Sequence, residues 1–439
     1  MTRTLRRTIF YLLTAIFIIA GTGIVLYAQG WRWDFKNWPP VKVGGIYIRS
    51  FPPEAQIFLD GKPIKNKSGF LQSGTLISDL FPKNYRLRLV LDGFRPLERG
   101  VDVRPAMVTE EKYIVLIPEK PDLLTSGPIQ DFWLLDEPVL LTQNNELLYR
   151  GQKIQGSRAL DWTDSFSAIL TTDEKGGYFI NMPESATSTA LAPLFRKLGL
   201  KTTGAEITLD PENRTMLVYG SPSALYLVDT SRSRLITISS SSPTSTAKIT
   251  AASPSVFWLA WASFDNRTGS STLTIYDKLL GNKRPVPESI TGRTLKIKWF
   301  NNDFFGFLQE NGEFFTYRPG ETAVTNVASD VKDFKFSPDG NMVAVLAQRS
   351  LEIISFRNNK DYWRFNLPAV EQIQAVAWHK DNRHLFLTYS DKTVFLDLDD
   401  ASLDNLDVLA PTAKAEYSPA KNELYYLWEE KMLRLKLPD

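Results

Sequence analysis

No cysteine occurs anywhere in the chain, and only two histidines do. The first absence excludes disulfide staples, thiolate zinc sites, cysteine nucleophiles and lipid attachment to a cysteine behind a signal sequence. The second leaves His379 and His384 as the whole supply of imidazole for a metal site or a Ser-His-Asp triad, and no G-x-S-x-G elbow accompanies them. An excess of either charge is also missing. Lys plus Arg number 51 against 49 Asp plus Glu, a net charge of +2, whereas a nucleic-acid binder gathers basic residues on one face. No nucleic-acid partner is expected. There is no glycine-rich phosphate loop, and nothing in the sequence points to a cofactor.

Apolar side chains are plentiful. They make up 43% of the chain, with 11 Trp and 26 Phe, which is core material rather than the composition of a disordered tail. At about 150 residues per domain, 439 residues imply two or three folded units.

Between Arg7 and Arg32 the chain runs for 24 residues without a charge. A helix rises about 1.5 Å per residue and a hydrocarbon core is about 30 Å thick, so residues 8–28 suffice to cross a bilayer once. Arg3, Arg6 and Arg7 crowd the short N-terminal flank, and positive flanks stay cytoplasmic. The expectation is a cytoplasmic stub at 1–7, a single transmembrane helix at 8–28, and the bulk of the chain outside the cytoplasm. A cleaved signal has a shorter apolar stretch ending in small residues, whereas bulky Leu26 and Tyr27 stand here; a buried core helix is the other rival. Trp31, Trp33 and Trp38 follow in a juxtamembrane linker, 29–44, where indoles favour the membrane–water boundary or pack on the next domain.

Residues 45–118 read as a small β-sandwich. Ile46 to Ile48 and Ala55 to Leu59 are apolar strands, Asp60-Gly61 is a turn, and Tyr85-Arg86-Leu87-Arg88-Leu89 alternates with the period of a half-buried strand. Asp92-Gly93 is a second turn, after which Val101 to Val103 and Tyr113 to Ile117 resume strand patterning. The segments Ser50-Phe51-Pro52-Pro53-Glu54-Ala55, Asp60-Gly61-Lys62, Pro82-Lys83-Asn84-Tyr85 and Leu91-Asp92-Gly93-Phe94 resemble the PEGA domain, a small β module of surface proteins. The glycine of the family's name is missing, since Pro53-Glu54 runs directly into Ala55. The resemblance implies an envelope module without catalytic residues.

Residues 119–439 repeat. Trp162, Leu209, Trp261, Trp299, Phe336, Trp378 and Tyr417 each close an apolar strand, and 255 residues separate the first from the last. Six intervals of about 42.5 residues match a β-propeller of four-stranded blades. Trp133 begins an additional copy only 29 residues before Trp162, so seven or eight blades are expected. Ser337-Pro338-Asp339-Gly340 makes a tight turn, because Pro presets φ and Gly accepts positive φ; it resembles the turns of TolB-like and WD-repeat propellers. Asp210-Pro211-Glu212-Asn213 and Tyr417-Ser418-Pro419 are weaker copies. The aligned aromatics are expected between blades, residues 231–248 as an exposed Ser/Thr-rich loop, and residues near 122–135 as the source of a closing strand.

Chemistry is sparse. His379 and His384 flank Lys380 and Arg383, whose charge repels a cation, so this segment reads as a surface turn. Asp397, Asp399 and Asp400 are weak cation candidates in an acidic run that lacks the glycine and glutamate of a helical calcium loop. Asn66, Asn213 and Asn266 fit the glycosylation pattern, which is common by chance. The fold class is therefore all-β apart from one N-terminal transmembrane helix: a small sandwich, then a propeller. The function expected is a membrane-anchored, non-enzymatic binding or scaffolding protein of the cell envelope that engages a protein or a cell-wall glycan. The rivals are a propeller-type carbohydrate hydrolase or lyase, betrayed by carboxylates and aromatics at the axis, and a plain spacer.

Overall fold

A helix, Arg3–Ala28, opens the chain, and its stretch Leu5–Ala28 is long and apolar enough to cross a membrane. Its most apolar window is not buried against protein; Phe17 and Ile19 are 77% and 73% exposed. The computed structural model describes residues 3–34, 37–69, 73–125, 127–240, 245–357, 362–366, 372–399 and 406–439. These divide into two compact units, residues 1–121 with 435–439, and residues 122–434.

In the first unit the helix leads into a hairpin of Trp31–Asp34 and Asn37–Lys42. Arg32 lies 3.7 Å over the Tyr27 ring, and its guanidinium meets Asp79 at 2.5 Å. A sandwich follows. One sheet orders its strands Thr75–Leu80, Gly44–Phe51, Val108–Val115, and the other Lys62–Ile64, Gln56–Leu59, Asn84–Val90, Leu97–Asp102. Tyr85, Leu87 and Leu89 point into a core with Ile46, Ile48, Ile57, Val101 and Ile114, while Arg86 and Arg88 face out, as period-two alternation requires. Asp60 and Gly61 both take positive φ, 49° and 75°, the two-residue hairpin turn that matches strand twist. The Asp60 carboxylate accepts from the Arg86 N–H at 2.9 Å and from Lys83 at 2.5 Å, so the two separated motif segments meet. Ala55 is fully buried. Asn66 donates to the carbonyls of Pro53 and Ala55, both at 2.7 Å, and so pins the loop that carries Glu54.

The second unit is built from four-stranded antiparallel sheets, eight of them among the described residues. Their first strands are Ile129–Leu134, Arg158–Trp162, Glu206–Leu209, Ala247–Pro254, Thr294–Phe300, Val331–Phe336, Ala375–Trp378 and Ala415–Ser418, and they define sheets 1 to 8. Sheets 1 to 7 each use four consecutive strands. Sheet 8 takes its outermost strand from the start of the unit: Asp122–Thr125 pairs with Lys431–Lys436, and Arg434 meets Asp122 at 2.9 Å. First strands of neighbouring sheets touch one another in sheets 2 and 3, 4 and 5, 6 and 7, and 8 and 1, which puts the first strands on the axis of a propeller-type ring.

Packing between sheets follows one device. The Trp299 indole donates to the Ser253 carbonyl and the Trp378 indole to the Lys335 carbonyl, each at 2.9 Å, tying a first strand to the one before it. Sheet 1 fits into residues 129–154 because its strands are only three to six residues long. Trp261 departs from the expected register. It lies on the second strand of sheet 4, Trp258–Asp265, because the first strand, Ala247–Pro254, ends in Ser253-Pro254 with no aromatic at that place.

Two further differences concern regular structure. The Ser/Thr-rich stretch expected as a loop contains the strand Arg234–Ser240, carried by Leu235, Ile236 and Ile238; positions 241–244 lie outside the described residues. A second, short helix, Ala192–Lys197, sits between sheets 2 and 3. It is held there by Phe195, 2% exposed and edge-on to Tyr178 and Tyr219.

Candidate functional site

The axis is the one place where every sheet contributes. On a first strand the residue before the inter-sheet aromatic faces the next sheet, since successive side chains alternate. In sheets 2, 3, 5, 6, 7 and 8 that position holds Asp161, Thr208, Lys298, Lys335, Ala377 and Glu416. Around the axial opening expected of such a ring, Glu416 and Lys298 are solvent-exposed yet crowded by protein, and Asp161 and Lys335 are half-buried.

The two carboxylates have a structural task. An innermost strand has no partner on its axial side, so some of its N–H groups need an acceptor. Asp161 accepts from Leu209 of sheet 3 at 2.8 Å, and Glu416 accepts from Leu134 of sheet 1 at 3.0 Å. Burial pushes the Asp161 carboxyl up to about 6, against the N–H groups of Leu209 and Trp162, which favour its ionised form. Burial also raises Glu206 and Glu416.

The two lysines cannot do this work, because an ammonium has no acceptor. Neither Lys298 nor Lys335 has an acidic partner among the described residues, whereas Lys296 is paired with Asp333 on the adjacent first strand. Burial first, then the charges of Lys335 and Lys296, bring Lys298 down to about 8, with Asp333 opposing. Lys335 is lowered by burial and by Lys296, and feels Glu416 from two sheets away. The opening thus carries ammonium groups on sheets 5 and 6 and carboxylates on sheets 8, 2 and 3.

A second polar cluster occupies the turn between the first two strands of sheet 7. His379 and His384 are 2% and 1% exposed, which overturns the surface-turn expectation. Lys380 is exposed and Arg383 half-buried, while the imidazoles turn inward onto Asp381. His384 Nδ1 lies 2.7 Å from Asp381, its Nε2 3.7 Å from Asp397, and its ring stacks on Phe395. Burial alone would lower His384, but Asp381 and Asp397 outweigh it and raise the imidazole to about 9. Asp381 is held well below the usual carboxylate range by both histidines despite its burial. His379 Nε2 meets Asn422 Oδ1 of sheet 8 at 2.8 Å, and Tyr417 donates to the same oxygen. The donor atoms of His379, Asp381 and His384 lie within 4.8 Å of one another, a spacing a metal ion could use. Through the His379–Asn422 contact the cluster also serves as a strut between sheets 7 and 8.

The other singled-out residues fall as follows. Asp397 partners His384 and accepts from the Asp399 N–H at 2.9 Å; Asp399 lies 3.8 Å from Arg383; Asp400 lies outside the described residues. The Ser337-Pro338-Asp339-Gly340 turn closes through Ser337 N–H to Met342 at 2.8 Å and Gly340 N–H to Ser337 at 2.9 Å. Asp339 accepts from Ser337 and Asn341, and its N–H is bound by Asn382 of sheet 7, so this turn also joins neighbours. Trp33 is 52% exposed on the post-helix hairpin, and Lys42 sits 5.6 Å over Trp31. Arg3, Arg6 and Arg7 begin the helix. Sequence reasoning missed the axial position altogether. Its signal was present as a charged residue directly before four of the six aligned aromatics: Asp161-Trp162, Lys298-Trp299, Lys335-Phe336, Glu416-Tyr417.

Residues 43–114 match the family model of the PEGA domain. This segment coincides with the sandwich of the first unit, including the Asp60–Lys83 contact. No curated protein matches the chain by sequence. Solved structures similar to it include an oligogalacturonate lyase in complex with manganese, 11% identical with a TM-score of 0.46, covering 73% of this chain and 98% of that one. An oligogalacturonate lyase from Vibrio parahaemolyticus is 12% identical with a TM-score of 0.44, covering 73% and 99%. A chain of the Mitotic Checkpoint Complex is 12% identical with a TM-score of 0.42, covering 64% and 94%. Such distant likenesses say nothing of this chain's chemistry.

Proposed function

We propose that the chain is a membrane-anchored, extracytoplasmic binding protein of the cell envelope, which engages a protein or a cell-wall glycan through its ring of sheets. The observation that carries this reading is the uncovered helix Leu5–Ala28 joined to a PEGA segment. Its apolar side chains lie open on every side, and exposure to water costs about 25 cal/mol per Å² of apolar surface, so the helix needs a lipid environment. Arg3, Arg6 and Arg7 set the N-terminus in the cytoplasm. The native lack of cysteine makes the test clean. Leu279, 78% exposed on sheet 4, is replaced by Cys and intact cells are treated with a membrane-impermeant maleimide. Labelling without lysis is expected; labelling only after lysis overturns the orientation.

A carbohydrate-active enzyme is the second reading, and Asp161 favours it. A carboxyl that keeps its proton to about 6 at the wall of a wet opening has the acidity a general acid needs. Asp161→Asn should then abolish cleavage of an oligosaccharide by the purified protein; equal cleavage, or none by either protein, removes this reading.

A further inference from the structure

We infer that Lys298 and Lys335 form a receptor for an anionic group, a carboxylate or a phosphate, presented to the axial opening by the ligand of the ring. This rests on the binding reading above and names the chemistry of what is bound.

The same strand position has a scaffold task elsewhere in the ring. In sheets 2 and 8 the residue facing the next sheet is an acid, and it satisfies a backbone N–H on the unpaired axial edge. In sheets 3 and 7 it is Thr208 and Ala377, small residues without charge. In sheets 5 and 6 it is a lysine, which cannot accept that N–H and gives the scaffold nothing in return. Burial lowers the basicity of both; the charges of Lys335 and Lys296 lower Lys298 further, and that of Lys296 lowers Lys335. Asp333 makes its ion pair with Lys296, a short step along the strand from Lys298, and reaches Lys298 and Lys335 only as a more distant charge. A bound anion removes the repulsion and restores a salt bridge to each ammonium, in surroundings where charge-assisted hydrogen bonds are strong. The carboxylates of sheets 8, 2 and 3 repel the same anion, so a ligand carrying a negative group has one preferred side of the opening.

The test uses the full chain, purified in detergent or nanodiscs, and measures binding by calorimetry. The probes are inorganic phosphate, a phosphate-bearing glycan, an oligouronate and a neutral oligosaccharide of equal length. The expected result is binding of an anionic probe with at least about tenfold preference over the neutral one, lost on Lys298→Gln with Lys335→Gln and largely recovered with the double Arg variant. The two glycan arms separate a phosphate from a carboxylate source. Lys332→Gln, exposed on the same strand as Lys335, should change nothing and controls for net charge. Binding should also weaken as pH rises through about 8, where Lys298 loses its proton among Lys296, Lys335 and Asp333. No binding of any anionic probe, or anion binding indifferent to both lysines, overturns the inference. Neutral-glycan binding that persists in that case leaves the general binding reading standing.

Discussion

Asp381 and His384, three residues apart and both turned into the protein, hold each other at 2.7 Å with the imidazole ring stacked on Phe395. The pair sets a pH dependence with a definite sign. His384 is raised from about 6.5 to about 9, so its contribution to stability is complete below 6.5 and is lost as pH rises through 9. Asp381 is depressed, so its contribution is present above about 4 and is lost as pH falls below that. Thermal unfolding should show a drop in Tm between pH 7 and 10 that His384→Gln abolishes. The variant itself should lose about 3 kcal/mol at pH 7, because it leaves the largely buried Asp381 with only one of its two histidines. An unchanged alkaline slope in the variant would sink the assignment.

Asp161 predicts the opposite trend. Its carboxyl is raised by burial, so folding prefers the protonated form, and stability is lost as pH rises from about 4 through 6. Asp161→Asn keeps an acceptor for the Leu209 N–H and removes the charge. It should be more stable than the wild type by roughly 1 kcal/mol at pH 8 and no more stable at pH 4, measured by denaturant titration at both pH values.

Trp299 and Trp378 should prove equivalent. Replacement by Phe keeps most of the packing and orphans the carbonyl of Ser253 or Lys335, costing about 1–2 kcal/mol. Replacement by Ala costs about 3–5 kcal/mol through the cavity. If either Phe variant matches the wild type in urea, the indole bond contributes nothing there.

Gly340 combines a φ of 69° with no space: a Cβ would sit 2.0 Å from the Phe300 ring. Gly340→Ala should lower stability by more than about 2 kcal/mol, since strain and overlap add. A Tm within a degree of the wild type would show that the turn and Phe300 move apart freely.

Removing residues 430 onward strips the strand that pairs with Asp122–Thr125. The second unit should then lose its single cooperative transition in calorimetry. A truncated protein melting like the full chain would count against closure of the ring through that pairing.

Much of the architecture was legible because it rests on period and punctuation. The 42-residue repeat follows from strands of fixed length joined by tight turns, and Asp60-Gly61 and Ser337-Pro338-Asp339-Gly340 announce their backbone conformations locally. What the sequence could not show was which strand of a sheet an aromatic belongs to. Trp261 has the right neighbours and the wrong strand, since an apolar run before a Trp suits a first or a second strand equally. The histidine cluster was misread for a related reason. Lys380 and Arg383 lie near in sequence, whereas Asp397 and Asn422, which decide the burial of the imidazoles, arrive from another strand and another sheet. The axial lysines stayed hidden because their meaning lies in a contrast with Asp161 and Glu416 that exists only once the sheets stand in a ring.

The strand Asp122–Thr125 carries a consequence for how the molecule comes into being. It is made hundreds of residues before its partner Lys431–Lys436, so through synthesis it waits with its hydrogen-bonding edge bare. Sheet 8 completes only when the final strand emerges, and until then neither flank of the ring is sealed against another chain. The nascent protein therefore passes through an interval in which exposed Leu123 and Leu124 form the handle that a chaperone, or a second unfinished copy, would grasp first.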